Sequence, residues 1–159
     1  MRRRAALRIV VLAASIGSSV SLGQGADNDQ DAVRSTFESW RKVANTGDAD
    51  AFLSYVTDDA IFADMAPGFA PIVGKKALDP FFKTFFATTT FTWTDCQSQE
   101  IVVVGDLAFH RYTGIVTFSP KQGGEATRIP RRYLDMFRRG ADGRWRLLQH
   151  IFAADPTSR

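Results

Sequence analysis

The chain has little of several things that would have narrowed its function. It carries one cysteine, Cys96, and two histidines, His110 and His150, in 159 residues. One cysteine excludes an internal disulfide, and its mid-chain place is far from any lipidation position near the start; a buried, inert thiol is expected. Two histidines without a close pair of carboxylates do not make a metal site, so no metal and no cofactor are expected. There is no Gly-rich phosphate loop, since Gly123-Gly124 reads as a hairpin turn. No repeat, heptad or low-complexity tract is present. The apolar run at Ile9 to Ile16 is too short and too weakly apolar to span a membrane. An excess of positive charge is missing too, once the first residues are set aside. Residues 1–23 hold four of the 20 Lys and Arg and none of the 17 Asp and Glu, which leaves 16 bases against 17 acids. Phosphate binding needs a basic face, so nucleic acid is not expected as a partner. Arg128, Arg131, Arg132, Arg138 and Arg139 do cluster locally, but strand alternation divides them between two faces.

What is present begins with a leader. Arg2, Arg3, Arg4 and Arg8 precede the apolar run, and Gly17 to Gly25 is small and polar. This reads as a secretory signal peptide with a small-x-small cleavage site at Ser21-Leu22-Gly23. The expected division is leader 1–23, linker 24–29, one domain over 30–155, and tail 156–159. The mature protein is expected to be exported, periplasmic or secreted, with no membrane attachment after leader removal. Arg3-Arg4-Ala5-Ala6-Leu7-Arg8 weakly resembles a twin-arginine signal, so the route stays open.

The domain reads as helices followed by strands. Val33, Phe37, Trp40 and Ala44 recur at helical spacing and form one apolar stripe. Gly47 fits the residue after that helix, and Asp48 caps a short second one carrying Ala51, Phe52, Tyr55 and Val56. Pro80 would break a helix begun at Gly74, so the third helix is expected to start at Asp79-Pro80, with Lys75 to Leu78 as a turn. From Thr88 the texture is β, with turns at Gly105-Asp106, Pro120 to Glu125 and Gly140 to Gly143. That order predicts an α+β fold, its N-terminal helices packed on a strongly bent antiparallel sheet.

The stretch from Asp58 to Leu78 is the most informative. Asp58-Asp59 turns into Ala60-Ile61-Phe62-Ala63-Asp64, and Pro67, Gly68 and Pro71 then end the ladder. Asp64 therefore sits at a strand end beside Ile61, Phe62, Met65 and Phe69. Desolvation there would raise its pKa and make it a usable base. The plainer alternative is that it caps a loop amide or faces water.

Asn45-Thr46-Gly47-Asp48, Thr57 to Phe62, Val73-Gly74-Lys75 and Asp142 to Leu147 together resemble the nuclear-transport-factor-2-like superfamily, nearest its SnoaL-like branch. The resemblance covers about residues 30–153. It implies a cone-shaped fold enclosing one pocket, and a homodimer. It implies no single function, because members include isomerases, dehydratases, cyclases and binders. Alignment with ketosteroid isomerase places that enzyme's base on Asp64, its protonated acid on Asp135 and its tyrosine on Trp40. Trp cannot replace that Tyr, since an indole N–H has a different reach and far weaker acidity.

If Asp135 points into the cone, alternation puts Arg131, Tyr133 and Phe137 on the same face. Arg131 could then pair with Asp135 and keep it ionised. The resemblance places Leu148, His150 and Phe152 inward on the last strand. His150 is an acid/base candidate, with an ordinary hydrogen-bonded strand histidine as the alternative. Which face of Leu107 to Phe118 lines the pocket is open at this point, with His110 expected at the surface or in the sheet. The candidate catalytic residues are thus Asp64, Asp135 and His150. The candidate ligand-binding residues are Trp40, Phe62, Phe69, Phe82, Arg131, Tyr133, Phe137, Leu148 and Phe152. Three functions compete: a domain binding a small apolar or amphipathic ligand, an acid/base enzyme using Asp64, and a non-catalytic dimerisation module. The first is favoured because the oxyanion tyrosine is absent.

Overall fold

The computed structural model describes residues 22–155. Its elements run α1 (Leu22–Ala44), α2 (Ala49–Leu53), β1 (Val56–Asp64), β2 (Ile72–Val73), α3 (Lys75–Thr88), β3 (Thr89–Val104), β4 (Leu107–Pro120), β5 (Thr127–Arg139) and β6 (Trp145–Ala154). The strands form one sheet in the order β2-β1-β6-β5-β4-β3. This is the α+β fold that the order of elements predicts. The strands β3 to β6 form an antiparallel meander, and β1 adds to β6 in parallel, so the sheet is mixed.

The sheet bends where β3 loses register with β4, between Thr94 and Gln97 and again between Ser98 and Glu100. Asp95 takes a positive φ of 52° there. Extra residues on one strand of a pair bend it and increase its twist. The bend curls β3 toward the helices. The α1 stripe fills the hollow: Val33, Phe37, Trp40 and Ala44 are all buried. Each such side chain contributes about 1.5–3 kcal/mol of apolar burial, and the stripe holds α1 across the concave face.

Three local expectations meet the structure differently. Asp48 caps α2 by accepting the Ala51 amide at 2.9 Å, but that helix ends at Leu53, and Val56 already belongs to β1. The third helix begins at Lys75, not Asp79, and contains Pro80. The amide that Pro80 lacks would have bonded near the first turn. The helix is instead fixed by fully buried Leu78 and by Lys83 pairing with Asp79 at 2.9 Å. Residues 24–29, expected as linker, continue α1, and Asp29 is held by Arg139 through two 2.8 Å bonds. Residues 1–21 of the expected leader and the tail 156–159 lie outside the described residues. Among the described residues, no helix is long and apolar enough to cross a membrane.

Candidate functional site

The concave face encloses a cavity of about 280 Å³ between the sheet and the helices. Every layer contributes to its wall: Trp40 from α1, Phe52 from α2, Phe62 and Asp64 from β1, Phe82 from α3, Trp93 from β3, Arg131 and Tyr133 from β5, and His150 and Phe152 from β6. Four rings of α3 line the cavity, those of Phe81, Phe82, Phe85 and Phe86, with Phe81 half-exposed. Phe69, on the loop after β1, lies at the opening and is two-thirds exposed. The wall is overwhelmingly aromatic. Aromatic pairs gain edge and offset contacts beyond area burial, so such a wall is stiff and favours flat apolar guests.

Of the residues expected on the wall, Trp40, Phe62, Phe69, Phe82, Arg131, Tyr133 and Phe152 line the cavity. Phe137 and Leu148 do not. Phe137 is fully buried deeper in the core, paired across the sheet with Ala108 and Leu147. Leu148 is displaced by an irregularity: Met136 pairs with Gln149 while Phe137 pairs with Leu147. The extra residue turns Leu147 inward in its place, and Leu147 is fully buried. Simple alternation back from His150 cannot see a bulge.

Asp64 and Arg131 meet at one end of the wall. Arg131 Nη1 donates to Asp64 Oδ2 at 3.2 Å, and the Ala66 amide donates to Asp64 Oδ1 at 2.9 Å. Both carboxylate oxygens are engaged, and the capping and pocket-facing readings of Asp64 hold together. The Arg131 guanidinium also lies 4.4 Å from the centre of the Phe152 ring, close enough for a cation–π contact. The expected pairing of Arg131 with Asp135 is not made. The two residues are four apart on one strand, roughly 13 Å at strand rise, whereas Asp64 comes alongside through the β1–β6 pairing.

Asp135 lies instead in a buried chain. Tyr112 Oη donates to Asp135 Oδ2 at 2.8 Å, and His150 Nδ1 lies 2.7 Å from Asp135 Oδ1. Tyr112 and Asp135 are fully buried, and His150 is 7 % exposed. Burial drives the Tyr112 hydroxyl pKa well up, so it acts as donor to the carboxylate. The register makes this chain: His150 lies opposite Asp135 on β6, and Tyr112 lies on β4 two residues along from His110, which is opposite Asp135 on its other side. Among the described residues His150 Nε2 has no hydrogen-bond partner, and His150 lines the cavity. Tyr133 stacks between Tyr112, at 4.6 Å and 6°, and His150, at 5.4 Å and 25°. Of the three catalytic candidates, Asp64 and His150 face the cavity, and Asp135 stands behind His150.

The inward face of β4 is the one carrying His110 and Tyr112. His110 is fully buried, not at the surface: Nε2 lies 2.9 Å from Ser98 Oγ, Nδ1 has no partner, and burial lowers its pKa to about 4. Gly114 follows on that face, where a Cβ would come within 3.0 Å of Trp93 Nε1 and Cys96 Sγ. Glycine there lets the Trp93 indole lie directly on β4. The Cys96 thiol is pushed up to about 12 by burial, which makes it unreactive.

Sequence reasoning missed Tyr112 as a partner of the site, and Trp93, Phe52, Phe86 and Phe91 as wall residues. The alternation of Phe91 with Trp93 was a usable signal for those two. Tyr112 needed the cross-strand register. Among the described residues, no group of three His, Cys, Asp or Glu side chains could hold a metal.

Residues 26–148 match the SnoaL-like domain family. The chain belongs to that family. No curated protein matches it. Solved structures with the same fold include a conserved protein from Planctomyces limnophilus, 23% identical with a TM-score of 0.72, covering 82% of this chain and 98% of that one. A ketosteroid isomerase-like protein from Erwinia carotovora atroseptica is 23% identical with a TM-score of 0.71, covering 80% and 97%. A nuclear transport factor 2-like superfamily protein from Salmonella enterica serovar Typhimurium is 14% identical with a TM-score of 0.69, covering 84% and 95%. At these identities the likeness is one of fold.

Proposed function

We propose that this SnoaL-like domain binds a small, largely apolar ring compound in its cavity. The observation that carries the reading is the aromatic-lined space of about 280 Å³, with His150 on its wall and the Asp64–Arg131 pair beside it. Small-molecule sites are concave, mostly apolar and carry a few placed polar groups, and this space lies at the small end of their range. Trp40 and Trp93 both line it, so a guest should change intrinsic fluorescence. The test is titration with naphthalene-sized hydrophobic probes, together with solvent extraction and mass spectrometry of the purified protein. Saturable binding with altered Trp emission supports the reading, and no binding of any probe refutes it.

A second reading is acid/base catalysis on such a compound. It is favoured by one contact, His150 Nδ1 against Asp135, which leaves the other ring nitrogen without a protein partner. Asp64, the base expected from alignment, would act in this scheme with Arg131 as its counter-ion. Export through the leader and a homodimer complete the proposal. A second copy would sit on the outer sheet face, where Leu134 is 43% exposed beside Arg111 and Ile151. Sedimentation and N-terminal sequencing of exported protein test these two points.

A further inference from the structure

We infer that the cavity selects a hydroxylated aromatic ring, a phenol or an enol of similar shape, through His150, and that Tyr112 is the positioning residue for that contact. The inference rests on the small-molecule reading above and names the chemistry of its ligand.

Tyr112 is fully buried with Asp135 as its hydrogen-bond partner, and it has one proton to give. Asp135, also fully buried, takes that proton's hydrogen bond on Oδ2. Its Oδ1 lies 2.7 Å from His150 Nδ1. Taken as a carboxylate, Asp135 only accepts, and His150 is then its second donor through Nδ1. In neutral imidazole one nitrogen donates and the other accepts. With His150 neutral and Nδ1–H toward Asp135, the lone pair lies on Nε2, which has no hydrogen-bond partner among the described residues. Tyr133 stacked at 5.4 Å on one side and Trp40 edge-on at 5.2 Å on another fix the ring plane.

Four other polar atoms of wall residues, Trp40 Nε1, Trp93 Nε1, Arg131 Nε and Tyr133 Oη, have no hydrogen-bond partner among the described residues, and the first three can only donate. Both oxygens of Asp64 accept bonds, from Arg131 and from the Ala66 amide. His150 Nε2 offers a lone pair in an aromatic wall, and a guest hydroxyl that donates to it can also accept from an unpartnered indole N–H or from Tyr133 Oη. The guest that satisfies both is a flat ring with one O–H. The hydroxyl hydrogen bonds to Nε2. If the proton crosses, it moves to Nε2, the electron pair stays on the ligand oxygen, and Nδ1–H remains bonded to Asp135, so charge is conserved within the complex.

The test uses β-naphthol, naphthalene and the methyl ether of β-naphthol as probes of the full-length mature protein, by calorimetry and naphthol emission. Naphthol should bind at least tenfold more tightly than naphthalene or the ether, with its spectrum shifted toward that of a strongly hydrogen-bonded or ionised naphthol. His150→Phe should remove the preference while naphthalene still binds. Tyr112→Phe should reduce it several-fold, leave naphthalene affinity unchanged, and move the Nδ1 proton resonance of His150, which a merely structural role for Tyr112 would not do. Equal affinity for naphthol and naphthalene would overturn the inference while leaving the pocket reading standing. Loss of the preference in Asp64→Asn but not in His150→Phe would also overturn it, by assigning the contact to Asp64. Failure of all three probes would bring down the pocket reading and this inference together.

Discussion

At the rim, where β1 ends, Asp64 faces a guanidinium and a loop amide; in mid-sheet, behind the wall, Asp135 faces a phenol and an imidazole. The rim carboxylate is 19 % exposed and has a formal counter-charge, whereas the inner one has no exposure at all. Water and loop movement can compensate a change at the rim. Nothing but the two partners can compensate a change at Asp135. The same residue type therefore does two jobs: the rim pair shapes an opening, and the inner one orients a ring.

The largest expected effect separates the two directly. Asp135→Asn leaves a buried donor facing an amide nitrogen and should cost about 3–5 kcal/mol in urea unfolding. Asp64→Asn should cost about 1 kcal/mol or less, because the pair is partly hydrated. Equal losses would erase the distinction. Next comes pH. His110 is neutral in the folded chain, its pKa lowered to about 4 from an ordinary value near 6.5. The unfolded chain takes up that proton first as pH falls. The stability linked to His110 is complete above about 6.5 and is lost progressively down to about 4, amounting to at most about 3 kcal/mol. Unfolding curves should show this slope in wild type and lose it in His110→Gln. A slope unchanged in that variant would mean that another group carries it.

How much of this was legible in the sequence depends on which contacts are local. The α1 stripe, the Asp48 cap and the β3 to β6 meander follow from periodicity and turn residues, whereas the sheet was expected to be antiparallel and β1 joins β6 in parallel. Asp64 at a strand end also follows, because Pro67 and Gly68 close the ladder behind it. The partners of Asp64 and Asp135 do not follow. They are set by pairing between strands far apart in the chain, and one parallel pairing brings Arg131 to Asp64. The bulge that swaps Leu147 for Leu148 was likewise invisible, since alternation assumes an unbroken ladder. His110 was expected at the surface or in the sheet; it is in the sheet and buried, and a lone polar residue in a strand carries no sign of which face is covered. Pro80 inside α3 shows tertiary burial overriding a local breaker.

Two smaller changes sharpen the contrast. Gly114→Ala places a methyl group within 3.0 Å of Trp93 Nε1 and Cys96 Sγ. It should cost about 1–3 kcal/mol as overpacking and weaken probe binding by displacing the indole. Probe affinity left unchanged would separate Trp93 from the binding wall. Phe69→Ala at the opening should change stability by about 0.5 kcal/mol or less, because the ring is two-thirds exposed. It should nevertheless lower probe affinity a few-fold, and a purely structural loop would show the opposite pattern.

The central claim is that Asp135, not Asp64, governs the state of the cavity histidine. The most direct measurement is nuclear magnetic resonance of the His150 ring in ¹⁵N-labelled protein near neutral pH. The account predicts a strongly hydrogen-bonded Nδ1 proton, well downfield of the amides, with Nε2 unprotonated. That signal should persist in Asp64→Asn and shift in Tyr112→Phe. A wild-type ring protonated on Nε2 alone, or a signal lost in Asp64→Asn and untouched in Tyr112→Phe, would contradict it.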